Sequence, residues 1–372
     1  MVHLFYEGLL LRAAGAAMLS FLIVLLLGPR LIRFLIRQKL GDRPEFNHAN
    51  LNELTRHKSN TPTMGGALIV AAILASTLLF AHVGSMYIRC GIFALVWLGG
   101  LGAVDDWLKL RYSAGTGSRD GLKMWEKILF QVGLAMLLSL YMYRAGIASY
   151  VMGADQQSVN PAHSFYFPFH AHPVALPLLA YVIITILTMV GSCNAVNLTD
   201  GMDGLAAGSV VIVSVVLMIL AEIVGVTKWA IFFNMPPVAG AAEMTILCAA
   251  MLGACVGFLW YNAHPAQVFM GDTGSLPLGG LIGYIAVVTR QELLLVIAGG
   301  VFVMEAVSVI LQVGYFKLTR PGPGLPGKRL FRCAPLHHHF HLGGLAEPKV
   351  VMRFWVLGII FAALALATLK LR

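Results

Sequence analysis

The sequence predicts an all-α fold: a polytopic integral membrane helical bundle, with about ten transmembrane helices in one domain over residues 1–372. Hydrophobic residues make up 58% of the chain and charged residues only 12%, a balance that water-soluble domains do not need. The apolar residues come in runs of roughly twenty, the length that a helix needs to cross a bilayer. No internal repeat or low-complexity linker divides the chain, so a single domain is the simplest organisation.

The apolar runs justify the predicted helices one by one. Most are long enough to cross a bilayer, whereas the run at 276–289 is shorter than a span requires. In chain order, the runs lie at about 14–38, 66–82, 86–104, 125–143, 174–193, 205–224, 241–261, 276–289, 293–316 and 350–369.

Basic residues predict the orientation of this bundle. The first run is followed by Arg30, Arg33 and Arg37 without a small-residue cleavage site, which favours an uncleaved anchor whose N-terminus lies outside the cytoplasm. Alternation of spans then brings three basic segments to the cytoplasmic side and both termini to the extracytoplasmic side. The basic segments are 39–65, 105–124 and 317–349.

The net charge of +9 narrows the classes of partner. In a soluble protein this excess could indicate nucleic acid. In a membrane protein it is typical of loops at an anionic cytoplasmic leaflet and of contacts with anionic substrates. We therefore expect membrane lipid and no nucleic acid.

Two adjacent carboxylates end one of the apolar runs, in the stretch GAVDDWLKL at 102–110. A carboxylate at a helix C-terminus faces the negative end of the helix dipole, and such departures from local preference are expected where a site needs them. Asp105 and Lys109 are spaced i, i+4 and share a face if the helix continues. A juxtamembrane ion pair is the alternative for this motif alone.

A second polar cluster lies in GSCNAVNLTDGMDGLAAG at 191–208. Asn194, Asn197, Asp200 and Asp203 follow one another at steps of three residues, which gives a drifting stripe on a helix or a cluster on a broken helix. A glycine-rich helix start capped by aspartates is the alternative. Two amides and two carboxylates at the edge of a span exceed what capping requires and favour a functional site.

Two further stretches bring polar residues to the same predicted side. YNAHPAQVFMGDTGSLPLGG at 261–280 contains Asn262 and Asp272, of which Asp272 could equally be a capping residue. CAPLHHHFHLGG at 333–344 contains consecutive histidines, which cannot all face one metal from a regular helix. Without a cysteine pair a zinc site is not expected; imidazoles that donate to phosphate fit this basic segment better, the alternative being a solvated histidine-rich loop.

Oxygen ligands, amides, lysines and imidazoles thus converge on one face of the bundle. Separated carboxylates suit Mg²⁺, which completes its shell with water and substrate phosphates. Phosphoryl transfer needs charge neutralisation and in-line positioning more than covalent chemistry. A site at the membrane surface indicates one soluble and one lipid-borne substrate. The predicted active-site loops are about 39–65, 105–124, 192–204, 262–276 and 317–349.

Six motifs together resemble those of the phospho-N-acetylmuramoyl-pentapeptide transferases, within the polyprenyl-phosphate N-acetylhexosamine-1-phosphate transferase superfamily. The resemblance covers nearly the whole chain. DDxxK is shared across the superfamily, whereas TPTMGG and the histidine triplet are specific to the muramoyl branch. The motifs are TPTMGG (61–66), DDWLK (105–109), NAVNLTDGMDGLA (194–206), FMGDTGSLPLGG (269–280), PLHHHF (335–340) and EPKVVMRFWVLG (347–358).

The resemblance implies a ten-helix enzyme of the bacterial plasma (inner) membrane, homodimeric, with its active site on the cytoplasmic face. Such an enzyme transfers phospho-MurNAc-pentapeptide from UDP-MurNAc-pentapeptide to undecaprenyl phosphate, giving lipid I and UMP, with Mg²⁺ as cofactor. We favour a single in-line attack, because the second pKa of a phosphate monoester is about 6 and the acceptor needs no strong base. Asp105 as a base and Asp272 as a covalent nucleophile stay open.

The resemblance also implies roles for individual residues. The catalytic group is Asp105, Asp106, Asp272, Lys109, Lys127 and His338, where Lys127 rather than Lys123 matches the family's lysine. The metal ligand is Asp272, with Asp105 and Asp106 as further candidates. The substrate-binding group is Lys58, Thr63, Asn194, Asn197, Leu198, Asp200, Asp203, Asn262, Phe269, Gln312, His337 and His339.

Two other functions compete with this interpretation. A sister transferase that uses a UDP-N-acetylhexosamine would share DDxxK but not the histidine triplet. A secondary transporter would also combine many spans with intramembrane Asn and Asp, but transporters often contain paired repeats and broken helices at mid-membrane. The segment 319–331 is about six residues longer than the family pattern, and we predict that 320–327 is a surface spacer.

Overall fold

The computed structural model describes residues 8–38, 58, 61–116, 121–146, 151–152, 158–159, 163–167, 174–322 and 325–370, and these residues are predominantly helical. The helices are α1 Leu9–Arg37, α2 Gly66–Phe80, α3 Met86–Thr116, α4 Met124–Gly146, α5 Leu178–Thr199, α6 Leu205–Gly225, α7 Thr227–Phe232, α8 Met244–Asn262, α9 Asp272–Thr289, α10 Glu292–Ala298, α11 Gly300–Leu318, α12 Leu336–His341 and α13 Glu347–Ala367. Short 3-10 turns lie at Ala241–Glu243 and Thr368–Lys370.

Strand structure in the described residues is limited to two antiparallel pairs between α4 and α5. Each strand has two residues, and the pairs are β1 with β2 and β3 with β4. The strands are β1 Val151–Met152, β2 Ser158–Val159, β3 Ser164–Phe165 and β4 Val174–Ala175. The predicted all-α class is therefore confirmed.

Eight helices among the described residues are long and apolar enough to cross a membrane, which confirms the polytopic prediction. Helices α2 and α9 correspond to the two other predicted runs, at 66–82 and 276–289. Each has fewer residues than any of the eight spans. The count of ten spans and the side of the termini stay predictions. The eight spans are Leu9–Arg37, Met86–Arg111, Met124–Ala145, Leu178–Thr199, Leu205–Gly225, Ala241–Asn262, Gly300–Leu318 and Glu347–Ala367.

The predicted continuous helix at 293–316 is wrong, because it is interrupted at Gly299, between α10 and α11. A side chain on the next residue, Gly300, would place its Cβ 2.6 Å from the ring of Phe361 in α13. The absence of a side chain at Gly300 thus lets the start of α11 approach α13 closely.

Several predicted loops are partly helical. Residues 105–116 continue α3, 192–199 continue α5, and 272–276 begin α9. Polar side chains at the end of an apolar run do not end a helix when they find partners in neighbouring helices. Of the predicted loop 39–65, residues 39–57 and 59–60 lie outside the described residues.

Helix α9 lies at the centre of the bundle, and every one of its residues is buried. It packs between α3 and α5, while α1 packs along α8. Gly102 of α3 makes this possible, because a Cβ there would lie 2.1 Å from the carbonyl oxygen of Asp272. The ends of α3, α5 and α9 therefore meet at one place, where their polar residues form a site.

Candidate active site

A cluster of two carboxylates and two ammonium groups forms the centre of this site. Lys127 Nζ lies 2.8 Å from Asp105 Oδ2 and 2.7 Å from Asp272 Oδ2. Lys109 Nζ lies 2.7 Å from the same Asp105 oxygen and 3.3 Å from the same Asp272 oxygen. Asp105 is completely buried, whereas the Lys109 side chain is 37% exposed. The two ammonium groups are therefore more exposed than the carboxylates, so an approaching ligand meets the positive charges first.

Local sequence explains how the lysines reach this position. Helix α3 continues through Lys109, so the predicted i, i+4 pair with Asp105 is confirmed. Lys127 lies in the first turn of α4, whose start is fixed by a hydrogen bond from the Lys123 N–H to the Glu126 side chain at 2.7 Å. The N–H of Leu122 donates to Asp105 Oδ1 at 2.7 Å, which joins the start of α4 to the cluster.

Asp106 faces the start of α9 and uses both of its oxygens there. It accepts hydrogen bonds from the N–H groups of Asp272 and Thr273, at 3.1 and 2.9 Å, and from the Thr273 hydroxyl at 2.7 Å. Gly271, at φ 70°, is needed beside it, because a Cβ would lie 2.5 Å from Asp106 Oδ2. Asp106 thus caps α9 and fixes the position of Asp272.

The asparagines of α5 divide between two places. Asn197 Nδ2 donates to Asp272 Oδ1 and to Ser275 Oγ, both at 2.9 Å, so it belongs to the cluster. Asn194 Nδ2 instead donates to Gln131 Oε1 of α4 at 2.6 Å. Asn194 therefore ties α5 to α4 and does not contact the carboxylates.

Helix α5 ends at Thr199, so the polar stripe of the sequence is broken. Asp200 caps the helix end and accepts the N–H of Gly271, next to Asp106. Asp203 lies beyond the break, in a different cluster. Leu198 is half-buried in the last turn. The helix is therefore broken, as one alternative expected, but the four polar residues do not form the single cluster that was expected with the break.

The second cluster is centred on Lys58. Its ammonium group lies 2.6 Å from Asp203 Oδ1 and 2.5 Å from Glu347 Oε1. Asp203 Oδ2 accepts the Ala266 N–H at 3.1 Å and contacts His264 Nδ1 at the same distance. Lys58 Nζ also lies 5.9 Å from the centre of the half-buried Phe269 ring, which gives a cation–π contact.

The two clusters are neighbours because the segment from Phe269 to Asp272 contributes to both. Three residues of chain span at most about 11 Å. The N–H of Phe269 donates to the carbonyl oxygen of Pro62 at 2.8 Å, which places TPTMGG beside this segment. The Thr63 hydroxyl lies 2.9 Å from the position that a Gly271 Cβ would take, beside Asp106.

Asn262 braces the backbone around the second cluster. Its Oδ1 accepts the N–H of Gly204 at 3.0 Å, and its Nδ2 donates to the carbonyl oxygen of Val268 at 2.8 Å. Gly204 has φ 80°, a conformation that favours glycine. Asn262 thus positions the residues before Phe269.

The histidine segment forms the short helix α12 and packs inward. His337 is fully buried between Gly201 and Glu305 of α11, with 3.2 Å between His337 Nδ1 and Glu305 Oε2. Burial lowers the pKa of His337 to about 3 and that of His338 to about 2. Both imidazoles are therefore neutral at pH 7, and each carries one N–H donor.

Gln312 and His339 hold the chain that leads into α12. Gln312 Oε1 accepts the N–H groups of Leu330 and Phe331, at 3.0 and 2.8 Å. His339 Nδ1 accepts the N–H of Arg332 at 3.1 Å. These side chains were predicted to bind substrate, and their contacts here fix the position of the histidine segment.

The segment 320–327 should tolerate deletion of Pro321 to Pro326. The Lys328 N–H donates to Thr319 Oγ1 at 2.8 Å, so the chain returns to the point where it leaves α11. Closure entropy changes by only about 0.6 kcal/mol per doubling of loop length. We expect turnover of the deletion protein to stay within about twofold of the parent, whereas His338→Ala in the same background should lower it by about a hundredfold.

Gly327 should be kept in this deletion, because a Cβ there would lie 1.8 Å from the carbonyl oxygen of Phe316. Thermal unfolding and steady-state turnover of the purified variants provide the measurement. Loss of activity in a well-folded deletion protein would show that the spacer shapes the substrate cleft.

Among the described residues, two groups of three side chains have the spacing of metal ligands. Asp105, Asp106 and Asp272 offer hard oxygens within 4.8 Å of one another, which suits a divalent cation that also takes ligands from water and phosphate. The other group, of Asp203, His264 and Glu347, includes an imidazole, and Lys58 bridges its two carboxylates. The first group consists of carboxylates alone, which suits a hard divalent cation, and Asp272 is its most exposed member.

Four residues that shape these clusters are not among the predicted site residues. Thr273 and Ser275 lie next to Asp272 and could have been suspected from the position of a helix start. Glu305 and Glu347 are single carboxylates, one within an apolar run and one at a helix start, and no spacing connects them with their partners. Their contacts are distant in sequence, since Lys58 and Glu347 are 289 positions apart.

Comparison with known proteins places this arrangement in a class. The family model for Glycosyl transferase family 4 matches residues 88–290, the part of the chain that carries both Asp105 and Asp272. The phospho-N-acetylmuramoyl-pentapeptide-transferase signature 1 matches residues 58–70, from Lys58 through TPTMGG. The fold and this family match therefore define a membrane-embedded transferase of the Glycosyl transferase family 4 class.

Three curated relatives make the assignment more specific, and each is named phospho-N-acetylmuramoyl-pentapeptide-transferase. The relative from Desulfotalea psychrophila is 42% identical over 99% of this chain and 95% of its own length. Those from Syntrophus aciditrophicus and Oleidesulfovibrio alaskensis are 42% and 40% identical, each over 97% of this chain and 93% of their own length. The chain belongs to the phospho-N-acetylmuramoyl-pentapeptide-transferase family.

Proposed function

We propose that this protein transfers phospho-MurNAc-pentapeptide from UDP-MurNAc-pentapeptide to undecaprenyl phosphate, forming lipid I and UMP. The observation that carries the proposal is the cluster in which Lys109 and Lys127 lie over Asp105 and Asp272 at the meeting point of three helices. Such a cluster can bind a diphosphate and a divalent cation together. The shared name of the relatives supports the choice of substrates.

The nucleoside end of the donor fits the second cluster. The half-buried Phe269 ring offers a stacking surface, and Lys58 and Asp203 beside it offer a cation and an acceptor. A uracil base presents carbonyl oxygens and an N–H, which complement these groups. The diphosphate then extends from Phe269 towards Asp272, which are three residues and so at most about 11 Å apart along the chain.

The lipid acceptor fits an apolar cavity of about 390 Å³ between α5, α10 and α11. Leu187, Ala195, Val296 and Val303 are among the residues that line it, and the first and third are exposed on the surface of the bundle. Ala195 is two residues from Asn197, which contacts Asp272. A section of isoprenoid chain in this cavity would bring its phosphate towards the lysines.

Mg²⁺ is the cation that we propose for Asp272, Asp105 and Asp106, where it would neutralise charge that develops on the phosphoryl oxygens. Lys109 and Lys127 orient the donor diphosphate and add positive charge. Asp106 holds the start of α9, and Asn197 fixes one oxygen of Asp272. We retain a single in-line attack by the acceptor phosphate, which is largely a dianion at pH 7 because its second pKa is about 6.

We further propose that the enzyme lies in the bacterial plasma membrane with this site on the cytoplasmic face. The basic segments around the site support this orientation, and the soluble UDP-linked donor would reach the site from that side. A homodimer stays a prediction of the family resemblance.

Release of UMP tests the proposed function. Purified protein should release UMP from UDP-MurNAc-pentapeptide only when a polyprenyl phosphate and Mg²⁺ are both present. UDP-N-acetylglucosamine serves as the control donor and should give no UMP. Equal use of this control donor would favour the sister transferase, and no UMP from either donor would contradict the proposal.

Phe269→Ala should raise the KM for the UDP-linked donor by roughly ten- to a hundredfold, with little change in kcat. The loss corresponds to the stacking of one base on an aromatic ring, about 1–3 kcal/mol. Phe269→Tyr keeps a ring and serves as the matched control. If kcat fell while KM and inhibition by UMP stayed unchanged, the nucleoside position would be wrong.

A further inference from the structure

Glu347 is a nearly buried carboxylate at the first residue of α13, with 6% of its surface exposed. One oxygen, Oε1, lies 2.5 Å from Lys58 Nζ and accepts the backbone N–H of Asp203 at 2.8 Å. A carboxylate this buried must be paired or hydrogen-bonded to remain charged. Glu347 thus connects α13, the last long helix, with Lys58 and Asp203 of the second cluster.

Its contacts define the geometry of Lys58. A lysine ammonium group has three N–H donors, and two are used by Asp203 Oδ1 and Glu347 Oε1. The third has no partner among the described residues and can face a ligand, with Nζ held 5.9 Å from the centre of the Phe269 ring. Without Glu347, the long lysine stem would lose one of its two anchors and the Asp203 backbone would lose its acceptor.

We infer that Glu347 is a positioning residue for recognition of the nucleoside, acting through Lys58 and Asp203 without touching the substrate. It holds the ammonium group so that one donor faces a carbonyl oxygen of a base stacked on Phe269. This inference rests on the proposed function, because it assigns the Phe269 side of the site to a uridine nucleotide. The reacting phosphates lie at the first cluster, beside Asp105 and Asp272. Glu347 therefore affects binding of the donor and not the chemical step.

Glu347→Gln in the full-length enzyme tests this role. The amide keeps the shape and one acceptor but removes the charge that holds Lys58. We expect the Kd for UMP, measured by calorimetry, and the KM for the UDP-linked donor both to rise about tenfold. The kcat and the KM for polyprenyl phosphate should stay within about twofold, a separation that general damage to the fold would not give.

A double-mutant cycle shows whether the effect passes through Lys58. In a Lys58→Met background the ammonium group is absent, so adding Glu347→Gln should weaken UMP binding by no more than about twofold further. Additive losses, or a fall in kcat, would overturn the inference. Glu347→Asp keeps the charge but withdraws it by one methylene, and unchanged UMP affinity in this better-tolerated variant would overturn it as well.

Glu243→Gln is the matched control. Glu243 also bridges a cation and a backbone N–H, with Arg12 Nη2 at 2.7 Å and the His82 N–H at 2.8 Å. It lies beside Phe80, the last residue of α2, whereas the site lies at the first residues of this helix. The 15 residues of α2 separate the two ends by about 22 Å. UMP binding should be unchanged in this variant.

The outcomes separate the inference from the proposed function. If the parent enzyme binds UMP and Glu347→Gln binds it equally well, the inference fails and the proposed function stands. If the parent enzyme binds no UMP and releases none, the proposed function fails and the inference fails with it. Weaker UMP binding in Glu347→Gln and Glu347→Asp but not in Glu243→Gln supports the inference.

Discussion

Asp272→Asn should lower turnover by at least about a hundredfold while the protein stays folded. Asn is close to Asp in size, and its amide oxygen can still accept the hydrogen bond that Asn197 donates at 2.9 Å. The substitution removes the negative charge beside Lys109 and Lys127 and a hard oxygen ligand for Mg²⁺. Steady-state kinetics over a range of Mg²⁺ concentrations provide the measurement.

Two companion variants separate the role of the charge from that of the position. Asp272→Glu keeps the charge but moves it by one methylene, and it should retain more activity than Asp272→Asn if charge is the main requirement. Glu243→Gln removes a charge from the far end of α2 and should leave turnover unchanged. Near-normal turnover of Asp272→Asn with an unchanged Mg²⁺ dependence would contradict the assignment of this residue.

The fold was largely predictable because the bilayer sets the length of an apolar run. The break at Gly299 was not, since glycines are common in transmembrane helices and nothing local separates a tolerated glycine from a break. Next to this break, the Phe361 ring of α13 occupies the space that a Gly300 side chain would need. Such contacts between distant elements cannot be inferred from hydropathy.

Within the site, the distance along the chain decided what the sequence could reveal. The Asp105–Lys109 pair follows from helical periodicity and needs only a continuous α3. The role of Asp106 depends on the start of α9, 166 positions later, and a DD motif alone does not show that its second aspartate caps another helix. Family motifs identified Asn262 and Gln312 as polar residues near the substrate, but only the structure shows that both hold backbone groups.

Lys127→Met should lower kcat by about a hundredfold and, at the same time, lower the Mg²⁺ concentration needed for half-maximal binding. The Lys127 ammonium group lies 2.8 Å from Asp105 Oδ2 and 2.7 Å from Asp272 Oδ2, the oxygens that a divalent cation would use. Without this competing charge the two carboxylates attract a cation more strongly. Catalysis still falls, because a cation that would face the transferred phosphoryl group is lost.

Lys123→Met is the matched control, one helical turn earlier in the chain. The Lys123 side chain is exposed, whereas Lys127 reaches the carboxylates, so we expect the control to keep both its turnover and its Mg²⁺ affinity. Calorimetry with Mg²⁺ and steady-state kinetics give the two measurements for each variant. A higher Mg²⁺ requirement in Lys127→Met would mean that the lysine supports the carboxylates as a cation site instead of competing for them. Equal losses in both variants would mean that the effect comes from the charge of this segment and not from the contact of Lys127 with Asp105 and Asp272.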